Sequence, residues 1–300
     1  MAIIRNRSVT ASILAALICA ALLSGCVSTA SAGDGARNNR RLAVYTSFYA
    51  MYQFTKAVAG DRADVTNLVP PGVEPHAWEP STRDMAALCS ADIFVYNGAG
   101  MEGFIDNLRQ NLNGHVIFVD ASAGLPIIDA SQPHLWLDPV YAGSQMRAIA
   151  GALEAADPDN GPYYEGNLGA LTAKLGALDG EYRQAVSGFA SRDIVAAHNA
   201  YAYLCKRYGL NMIALDENGE EREPSPAFLA RTVDYIRQNG IKYVFKDELD
   251  SPKAIETVAN ETGAGILTLY TFEGAPAGQP DMDYFECMER NLTALKTALD

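Results

Sequence analysis

Short apolar runs alternate with longer stretches of helical periodicity over most of the chain beyond residue 40. In the first half, the runs that predict strands are LAVYTS, VTNLV, DIFVYN and HVIFVD. The segments between them, FYAMYQFTKAVAG, STRDMAALCSA and MEGFIDNLRQNL, predict helices. Ser81 is a typical residue to begin the second helix, with Asp84 in its first turn. Such alternation is typical of an α/β fold with a mostly parallel sheet.

The same alternation starts again at Asp193. Four more strands are predicted by the runs DIVAAH, NMIAL, IKYVFKD and GILTLY. Two of the helices between them are predicted to begin at Ser225 and Ser251, each followed by a proline, which fits the first position of a helix because its missing N–H has no helical partner. A closing helix is predicted around residues 284–299. The second half therefore matches the first in its number of elements.

One long helical face lies between the two halves. Its apolar positions are spaced alternately by four and three residues, at Tyr164, Leu168, Leu171, Leu175, Leu178, Tyr182 and Ala185. With Pro162 near its start and an end near Ser187, this helix would be about 40 Å long. We expect it to be a rigid connection between two Rossmann-like lobes; a coiled-coil dimer helix is an alternative, which fewer than four heptads make weaker.

The N terminus has the features of a secretion signal. Two arginines precede an apolar run from Val9 to Leu23 that is too short for an ordinary membrane span, and Leu-Ser-Gly-Cys follows and resembles a lipobox. That resemblance implies lipid attachment at Cys26. The expected organisation is a lipoprotein signal peptide (1–25), a flexible tether (26–40), a first α/β lobe (41–158), a connecting helix (159–188) and a second α/β lobe (189–300).

The composition limits the classes of partner that the protein is expected to bind. The formal net charge of −13 disfavours nucleic-acid binding, and an acidic surface is compatible with a cationic ligand. Apart from Cys19 in the signal and the predicted anchor, the cysteines are Cys89, Cys205 and Cys287. They form no Cys-x-x-Cys metal pattern, and the sequence leaves open whether any two of them form a disulfide in an oxidising compartment.

Three of the four histidines are predicted beyond the carboxyl ends of strands, where an α/β sheet forms its ligand crevice. His76 lies in a Pro-rich loop, His134 in the loop SQPHLWLDP, and His198 at the end of the first strand of the second half. His115 precedes its strand, and we expect it at the surface. A lone histidine is usually structural, but three converging neutral imidazoles suit a transition metal and zinc best. Glu273, after the last strand, is the candidate fourth ligand.

Several ordered segments resemble the zinc/manganese solute-binding lipoproteins of ABC importers. They are PHAWEPSTRDMAALCSADIFVYNGAGMEGFIDNL, HLWLDP, AAHNAYAYLCKRYGL, EREPSPAFLA and DYFECMERNLTALKTAL. The resemblance implies two α/β lobes joined by a long backbone helix, with the metal between the lobes and His76, His134 and His198 among its ligands. It also implies an extracytoplasmic, membrane-anchored protein that delivers the metal to a permease driven by a separate ATPase. We expect the protein to be a monomer.

The fourth ligand departs from part of that family. Many members have Asp in the last segment, whereas this chain reads Leu269-Tyr270-Thr271-Phe272-Glu273, similar to zinc-binding members with Leu-x-Pro-Leu-Glu. The role therefore passes to Glu273, with water as the alternative. Three imidazoles and one carboxylate favour Zn²⁺ over Mn²⁺, which prefers more oxygen ligands. Nearby candidates to orient the ligands are Trp136, Asp138, Glu79 and Glu74.

Rival interpretations rest on weaker patterns. Gly98-Ala99-Gly100-Met101-Glu102-Gly103, with Asp120 further on, matches a dinucleotide fingerprint, but it follows the third strand, and Glu102 would repel a pyrophosphate. A zinc hydrolase needs an open metal position, which Glu273 would fill, and the chain has no His-Glu-x-x-His motif. An adhesin on the same scaffold stays open. We therefore predict a binding protein and not an enzyme.

Overall fold

The computed structural model describes residues 40–112, 114–129, 132–216, 224–249, 251–276 and 278–300. Within this part, residues 41–300 form one compact unit. The predicted signal peptide, Cys26 and nearly all of the tether lie outside the described residues. No helix in the described part has the length and apolar character needed to cross a membrane. The lobe limits at residues 158 and 189 stay predictions.

A four-stranded parallel sheet forms the first lobe. Its strands are β1 (Leu42–Thr46), β2 (Ala63–Asn67), β3 (Ile93–Tyr96) and β4 (Ile117–Asp120), in the spatial order β2-β1-β3-β4. The helices between them are α1 (Tyr49–Ala59), α2 (Thr82–Leu88) and α3 (Ile105–Asn111). All four residues of β3 are buried, as expected for a strand inside a parallel sheet that is covered on both faces.

The second lobe repeats this topology. Its strands are β5 (Asp193–Ala196), β6 (Asn211–Ala214), β7 (Tyr243–Lys246) and β8 (Gly265–Thr268), in the order β6-β5-β7-β8, again all parallel. Short 4-residue strands such as β5 are flanked by helices α6 (Ala202–Tyr208), α7 (Pro226–Asn239), α8 (Lys253–Thr262) and α9 (Tyr284–Leu299). The prediction of two parallel-sheet α/β lobes is confirmed.

Two long helices follow the first sheet. A 3₁₀ turn (Leu135–Leu137) leads into α4 (Pro139–Ala156), and a second 3₁₀ turn (Pro158–Asn160) leads into α5 (Gly161–Gly188) of 28 residues. Helix α5 contacts both lobes, because Asn167 donates to the carbonyl of Val58 in α1 and Tyr182 donates to the carbonyl of Met288 in α9. Most of the predicted apolar face of α5 is buried within this chain, at Tyr164, Leu168, Leu175, Leu178 and Tyr182. This confirms the connecting helix and disfavours a coiled-coil seam.

Two helix starts differ from the predictions. Helix α3 begins at Ile105 and not at Met101, because Glu102 folds back onto the preceding turn and its backbone does not enter the helix. Helix α8 begins at Lys253, with Pro252 as the residue before the helix and not as its first position. The capping of α2 agrees with the prediction, since Ser81 and Asp84 form a reciprocal capping box.

Candidate metal centre

Four side chains from both lobes converge in the cleft between the sheets. His76 lies in the loop between β2 and α2, and His134 immediately precedes the first 3₁₀ turn. His198 follows β5 by two residues, and Glu273 lies in the segment between β8 and α9. One ligand atom from each of these residues lies within 4.8 Å of the other three. The structure thus brings together all four side chains that the sequence singles out.

The separations within this cluster match the edges of a small coordination tetrahedron. Glu273 Oε1 lies 2.9 Å from His134 Nε2, 3.3 Å from His76 Nε2 and 3.6 Å from His198 Nε2. His134 Nε2 is 3.2 Å from the Nε2 atoms of both other histidines. Tetrahedral zinc with bonds of about 2.0–2.1 Å requires ligand atoms about 3.3 Å apart. The arrangement can therefore accept a zinc-sized ion.

Solvent reaches the four side chains unequally. The side chain of His76 is 25 % exposed, whereas those of His134 and Glu273 are 3 % and 4 % exposed. His198 is intermediate at 10 %. The site is consequently open on the His76 side and closed on the side formed by His134 and Glu273.

A carboxylate orients one imidazole. His198 Nδ1 is 3.0 Å from Asp216 Oδ2, which also accepts the backbone N–H of Asn199. A proton on Nδ1 leaves the Nε2 lone pair free for a metal, which is how outer carboxylates commonly fix metal-binding imidazoles. Asp216 is not among the residues that the sequence motifs single out. Its signal is the register of β5 and β6, since Ala196 pairs with Ala214 and both His198 and Asp216 follow that pair by two residues.

The four residues proposed to orient the ligands have different roles. Glu74 accepts the backbone N–H groups of His76 and Ala77, so it shapes the His76 loop. Asp138 begins α4 by accepting the N–H of Val140 and also pairs with Arg207. The indole of Trp136 donates to the carbonyl of Thr271, and Glu79 is exposed. None of the contacts described for these four places a carboxylate on an imidazole Nδ1.

His134 is held by packing. Its ring lies 5.2 Å from that of Trp136, and within the described residues its buried Nδ1 has no hydrogen-bond partner. Asn97 donates to the carbonyl of Pro133, the residue before His134, and Gln145 in turn donates to Asn97. The backbone of the His134 loop is therefore fixed by the turn that follows β3.

Charge in the metal-free cluster is distributed unequally. Burial lowers the pKa of His134 to about 4, so this imidazole is neutral near pH 7. Burial also acts to lower the pKa of His198, but Asp216 and Glu273 outweigh it and raise the pKa well above its ordinary value. Burial opposes ionisation of Glu273, yet the three histidines hold its pKa well below the usual range. The site thus contains an ionised carboxylate and an imidazolium proton that a metal would displace.

The Gly98–Gly103 turn is closed by its own side chains. The backbone N–H groups of Asn97 and Gly98 both donate to the carboxylate of Glu102, which also accepts from the hydroxyl of Ser47. Gly98 has φ 78°, and a Cβ there would lie 2.2 Å from Asp120 Oδ1. A carboxylate therefore occupies the donors that a pyrophosphate would need, and this geometry does not support the dinucleotide alternative.

The remaining sulfur and imidazole groups lie apart from the cluster. Cys89 is exposed and Cys205 and Cys287 are buried, and all three are free thiols, so no disulfide links the cysteines of the described residues. Burial raises the pKa of the Cys205 thiol to about 12. His115 is exposed, as predicted, and its Nε2 is 2.8 Å from the carbonyl oxygen of Cys89.

Two α/β lobes on a long helix, with three imidazoles and a carboxylate between them, define a two-lobed binding protein with a candidate transition-metal site. The sequence family ZnuA, described as the periplasmic zinc-uptake complex component A, matches residues 44–298. The chain belongs to this family, which confirms the resemblance found in its sequence motifs.

Among its relatives is the high-affinity zinc uptake system protein ZnuA of Bacillus subtilis (strain 168). It is 34 % identical over 302 residues, which cover 94 % of this chain and 95 % of that protein. The zinc-binding lipoprotein AdcA of Streptococcus pneumoniae serotype 4 is 33 % identical and matches 96 % of this chain. The match covers only 61 % of AdcA, so this chain corresponds to part of that longer protein.

Solved structures agree with the fold. The metal-dependent lipoprotein YcdH from Bacillus subtilis has a TM-score of 0.79 at 37 % identity, covering 87 % of this chain and 100 % of the other. The Zn(II)-bound ZnuA-like domain of Streptococcus pneumoniae AdcA has a TM-score of 0.78 at 34 % identity, with the same coverage. The laminin-binding protein Lmb of Streptococcus agalactiae, described as bifunctional in adhesion and metal transport, reaches 0.81 at 34 % identity, covering 86 % and 100 %.

Proposed function

We propose that this protein captures Zn²⁺ between its lobes as the solute-binding component of a zinc importer, with His76, His134, His198 and Glu273 as the four ligands. The observation that carries the proposal is the set of Nε2–Nε2 and Nε2–Oε1 separations of 2.9–3.6 Å, which suits tetrahedral zinc. Membership in a zinc-uptake family supports the choice of metal.

The ligand types favour zinc over manganese. Imidazole nitrogen suits Zn²⁺, whereas Mn²⁺ prefers a larger shell that is rich in oxygen. The charges also balance within the cleft, because the carboxylates of Glu273 and Asp216 together offset the two charges of the ion. A buried ion is stabilised only when it is compensated in this way.

Four protein ligands make the site one for capture and not for chemistry. Catalytic zinc keeps one position for water, whose pKa the metal lowers. If Glu273 binds as the fourth ligand, that position is filled. We therefore infer that the protein is not an enzyme and that its task ends with handing the ion to another protein.

The partner that receives the ion would be a membrane permease driven by a separate ATPase subunit. We propose that the chain works outside the cytoplasm as a monomer, anchored by a lipid on Cys26 through the tether of residues 26–40. Since α5 contacts both lobes, release would use rearrangement of the ligand loops and not a wide hinge motion. Small-angle scattering would contradict this release mechanism if it recorded a large compaction when zinc binds.

Metal analysis tests the ligand set. The wild-type protein, purified without added metal, should contain one zinc ion per chain, and zinc should outcompete manganese in a titration. His76→Ala, His134→Ala and His198→Ala should each weaken zinc binding, whereas His115→Ala is the matched control because His115 is exposed and contacts a backbone carbonyl. Zinc binding that is the same in all four variants would contradict the proposal.

A further inference from the structure

The segment that carries Glu273 has an unusual backbone. Phe272 has φ 61°, and within the described residues only Ala99 is another non-glycine residue with positive φ. A bulky residue is disfavoured in this left-handed region because its Cβ crowds the backbone. Such a conformation persists only where the surroundings hold it in place, and it commonly occurs at functional sites.

One carboxylate holds this turn. Glu248, which lies two residues after β7, accepts the backbone N–H of Thr271 at 2.8 Å and the backbone N–H of Phe272 at 2.8 Å. It also accepts the hydroxyl of Thr271 at 3.0 Å. Hydrogen bonds to a carboxylate are stronger than those between neutral groups, so three of them on two consecutive residues fix the orientation of both peptides.

Aromatic packing holds the same turn from the other side. The ring of Phe272 is fully buried, with its centroid 5.0 Å from that of Tyr49 in α1 and 5.7 Å from that of Tyr284 in α9. The indole of Trp136 donates to the carbonyl of Thr271 at 2.7 Å. His134 precedes Trp136 by two residues and Glu273 follows Thr271 by two, so this bond ties the two least exposed ligands together.

We infer that Glu248 is a positioning residue for the fourth zinc ligand. Its hydrogen bonds keep Phe272 in the left-handed conformation and thereby keep the Glu273 carboxylate against the three imidazoles. This inference rests on the proposed function, because Glu248 would act by helping the proposed ligands to retain a bound zinc ion. No contact between Glu248 and the ion is involved.

Loss of the hydrogen bonds to Glu248 should change the coordination of the zinc ion. Without Glu248, Phe272 relaxes to negative φ, and the rotation of the following peptide carries Glu273 away from the histidines. Zinc then stays on three imidazoles with water as its fourth ligand, so it still binds but exchanges faster. Glu248 therefore governs the time for which zinc remains bound, and the histidines govern whether it binds.

A double-mutant cycle on zinc dissociation tests this assignment. Zinc-loaded wild type, Glu248→Ala, Glu273→Ala and the double variant are mixed with excess chelator, and the release rate is recorded. Glu248→Ala should release zinc about 10- to 100-fold faster, the range expected when a group that orients a ligand is removed. In the Glu273→Ala background the same change should add less than about twofold, because coupled residues are not additive.

Two further variants separate positioning from folding. Glu248→Gln keeps Oε1 for the N–H of Phe272 but places an NH₂ group against the N–H of Thr271, so a smaller acceleration should remain in a folded protein. Asp157→Ala is the matched control, because Asp157 accepts from Tyr164 and Asn160 at the start of α5, away from the zinc ligands. It should lower the melting temperature and leave zinc release unchanged.

The visible spectrum of the Co²⁺-loaded protein supplies a signature that a purely structural role would not change. Glu248→Ala should shift the spectrum in the same direction as Glu273→Ala. Unchanged release and spectrum in Glu248→Ala and Glu248→Gln, or effects of Glu248→Ala and Glu273→Ala that simply add, would overturn the inference. Failure of the proposed function is a different result, namely a wild-type protein that does not bind zinc.

Discussion

The two sides of the four-residue cluster differ in how the chain presents the candidate ligands. His76 is 25 % exposed and lies on a loop whose backbone is shaped by Glu74. Glu273 is 4 % exposed and follows a turn held by Glu248 and Trp136. One cluster thus combines a face open to solvent, which suits entry of an ion, with a face fixed by packing against both lobes, which suits its retention.

This difference follows from where each ligand leaves its sheet. His76 lies in the Pro-rich segment between β2 and α2, which interrupts regular structure and leaves the side chain at the rim. The Glu273 segment packs Phe272 between α1 and α9, so its backbone is enclosed by both lobes. The open and closed faces are therefore consequences of local packing.

The largest effect on zinc affinity is expected from the closed face. His134→Ala removes the imidazole that lies 3.2 Å from both other histidines and 2.9 Å from Glu273. Since a structural zinc ion gains about 10–16 kcal/mol from four ligands, loss of one should weaken binding on the order of 100- to 1000-fold. Competition with a chelator of known affinity measures this change. A loss below tenfold would contradict a dominant role of the closed face in zinc binding.

A smaller loss is expected on the open face. In His76→Ala, water can take the place of the imidazole because the position is already solvated, so zinc should bind about 10- to 100-fold more weakly. The same competition assay applies. If His76→Ala weakens binding as much as His134→Ala does, the solvent exposure of a ligand side chain does not determine its contribution to zinc affinity.

Replacing Asp216, whose carboxylate contacts His198, should weaken zinc binding less than loss of a ligand does. Asp216→Asn keeps the shape but loses the negative charge that holds Nδ1–H, so zinc affinity should fall about tenfold, the lower end for such partners. Affinity at about pH 8 is the suitable measurement, since there the proton on His198 competes least with zinc. An unchanged affinity would show that packing alone orients His198.

Acidification should weaken zinc binding because protons compete with zinc for His198, and this competition should begin at a higher pH than for His134. Zinc needs neutral imidazole, and the raised pKa of His198 means that this residue keeps a proton that zinc must displace. Affinity should therefore fall as pH falls, by up to about tenfold per pH unit for one released proton. With its pKa lowered to about 4, His134 should release no proton near neutrality.

Calorimetry in buffers with different ionisation enthalpies counts the protons released when zinc binds. Release near pH 7 that falls by about one proton per zinc ion in His198→Ala would support this assignment. Zinc binding without proton release at neutral pH would contradict it.

The smallest change in zinc affinity is expected for a substitution in the connecting helix α5. Tyr182→Phe removes the hydroxyl that donates to the carbonyl of Met288, and loss of such a bond should lower the free energy of unfolding by about 1 kcal/mol. Urea denaturation of the metal-free protein measures this change. Zinc affinity should stay within about twofold, because additivity holds for distant sites. A large change in affinity would mean that α5 transmits strain to the ligands.

The sequence was sufficient to locate the strands along the chain and to single out the four candidate ligands. Alternating apolar runs predicted all eight strands of the described part, since short buried strands and amphipathic helices have different periods. The histidines could be found because their positions after strands place them at one edge of each parallel sheet. The element count, however, did not reveal that both sheets share the order 2-1-3-4.

The residues that position the candidate ligands were not predictable from the spacing of residues along the sequence. Asp216 could be assigned to His198 only through the pairing of β5 with β6, and Glu248 only through the left-handed turn at Phe272. Likewise, the start of α3 at Ile105 depends on Glu102 closing its own turn. Asp216 and Glu248 act on segments that are distant in sequence, and Glu102 also accepts from the hydroxyl of Ser47 in the first part of the lobe. Local patterns carry no information on such contacts.

X-ray absorption spectroscopy of the zinc-loaded protein measures the proposed coordination shell. We expect four nitrogen or oxygen neighbours at about 2.0–2.1 Å, with outer-shell scattering from three imidazoles. The imidazole signal should fall by about one third in His134→Ala, as loss of one of three ligands requires. A six-coordinate shell dominated by oxygen, or scattering from fewer than three imidazoles in the wild type, would contradict it.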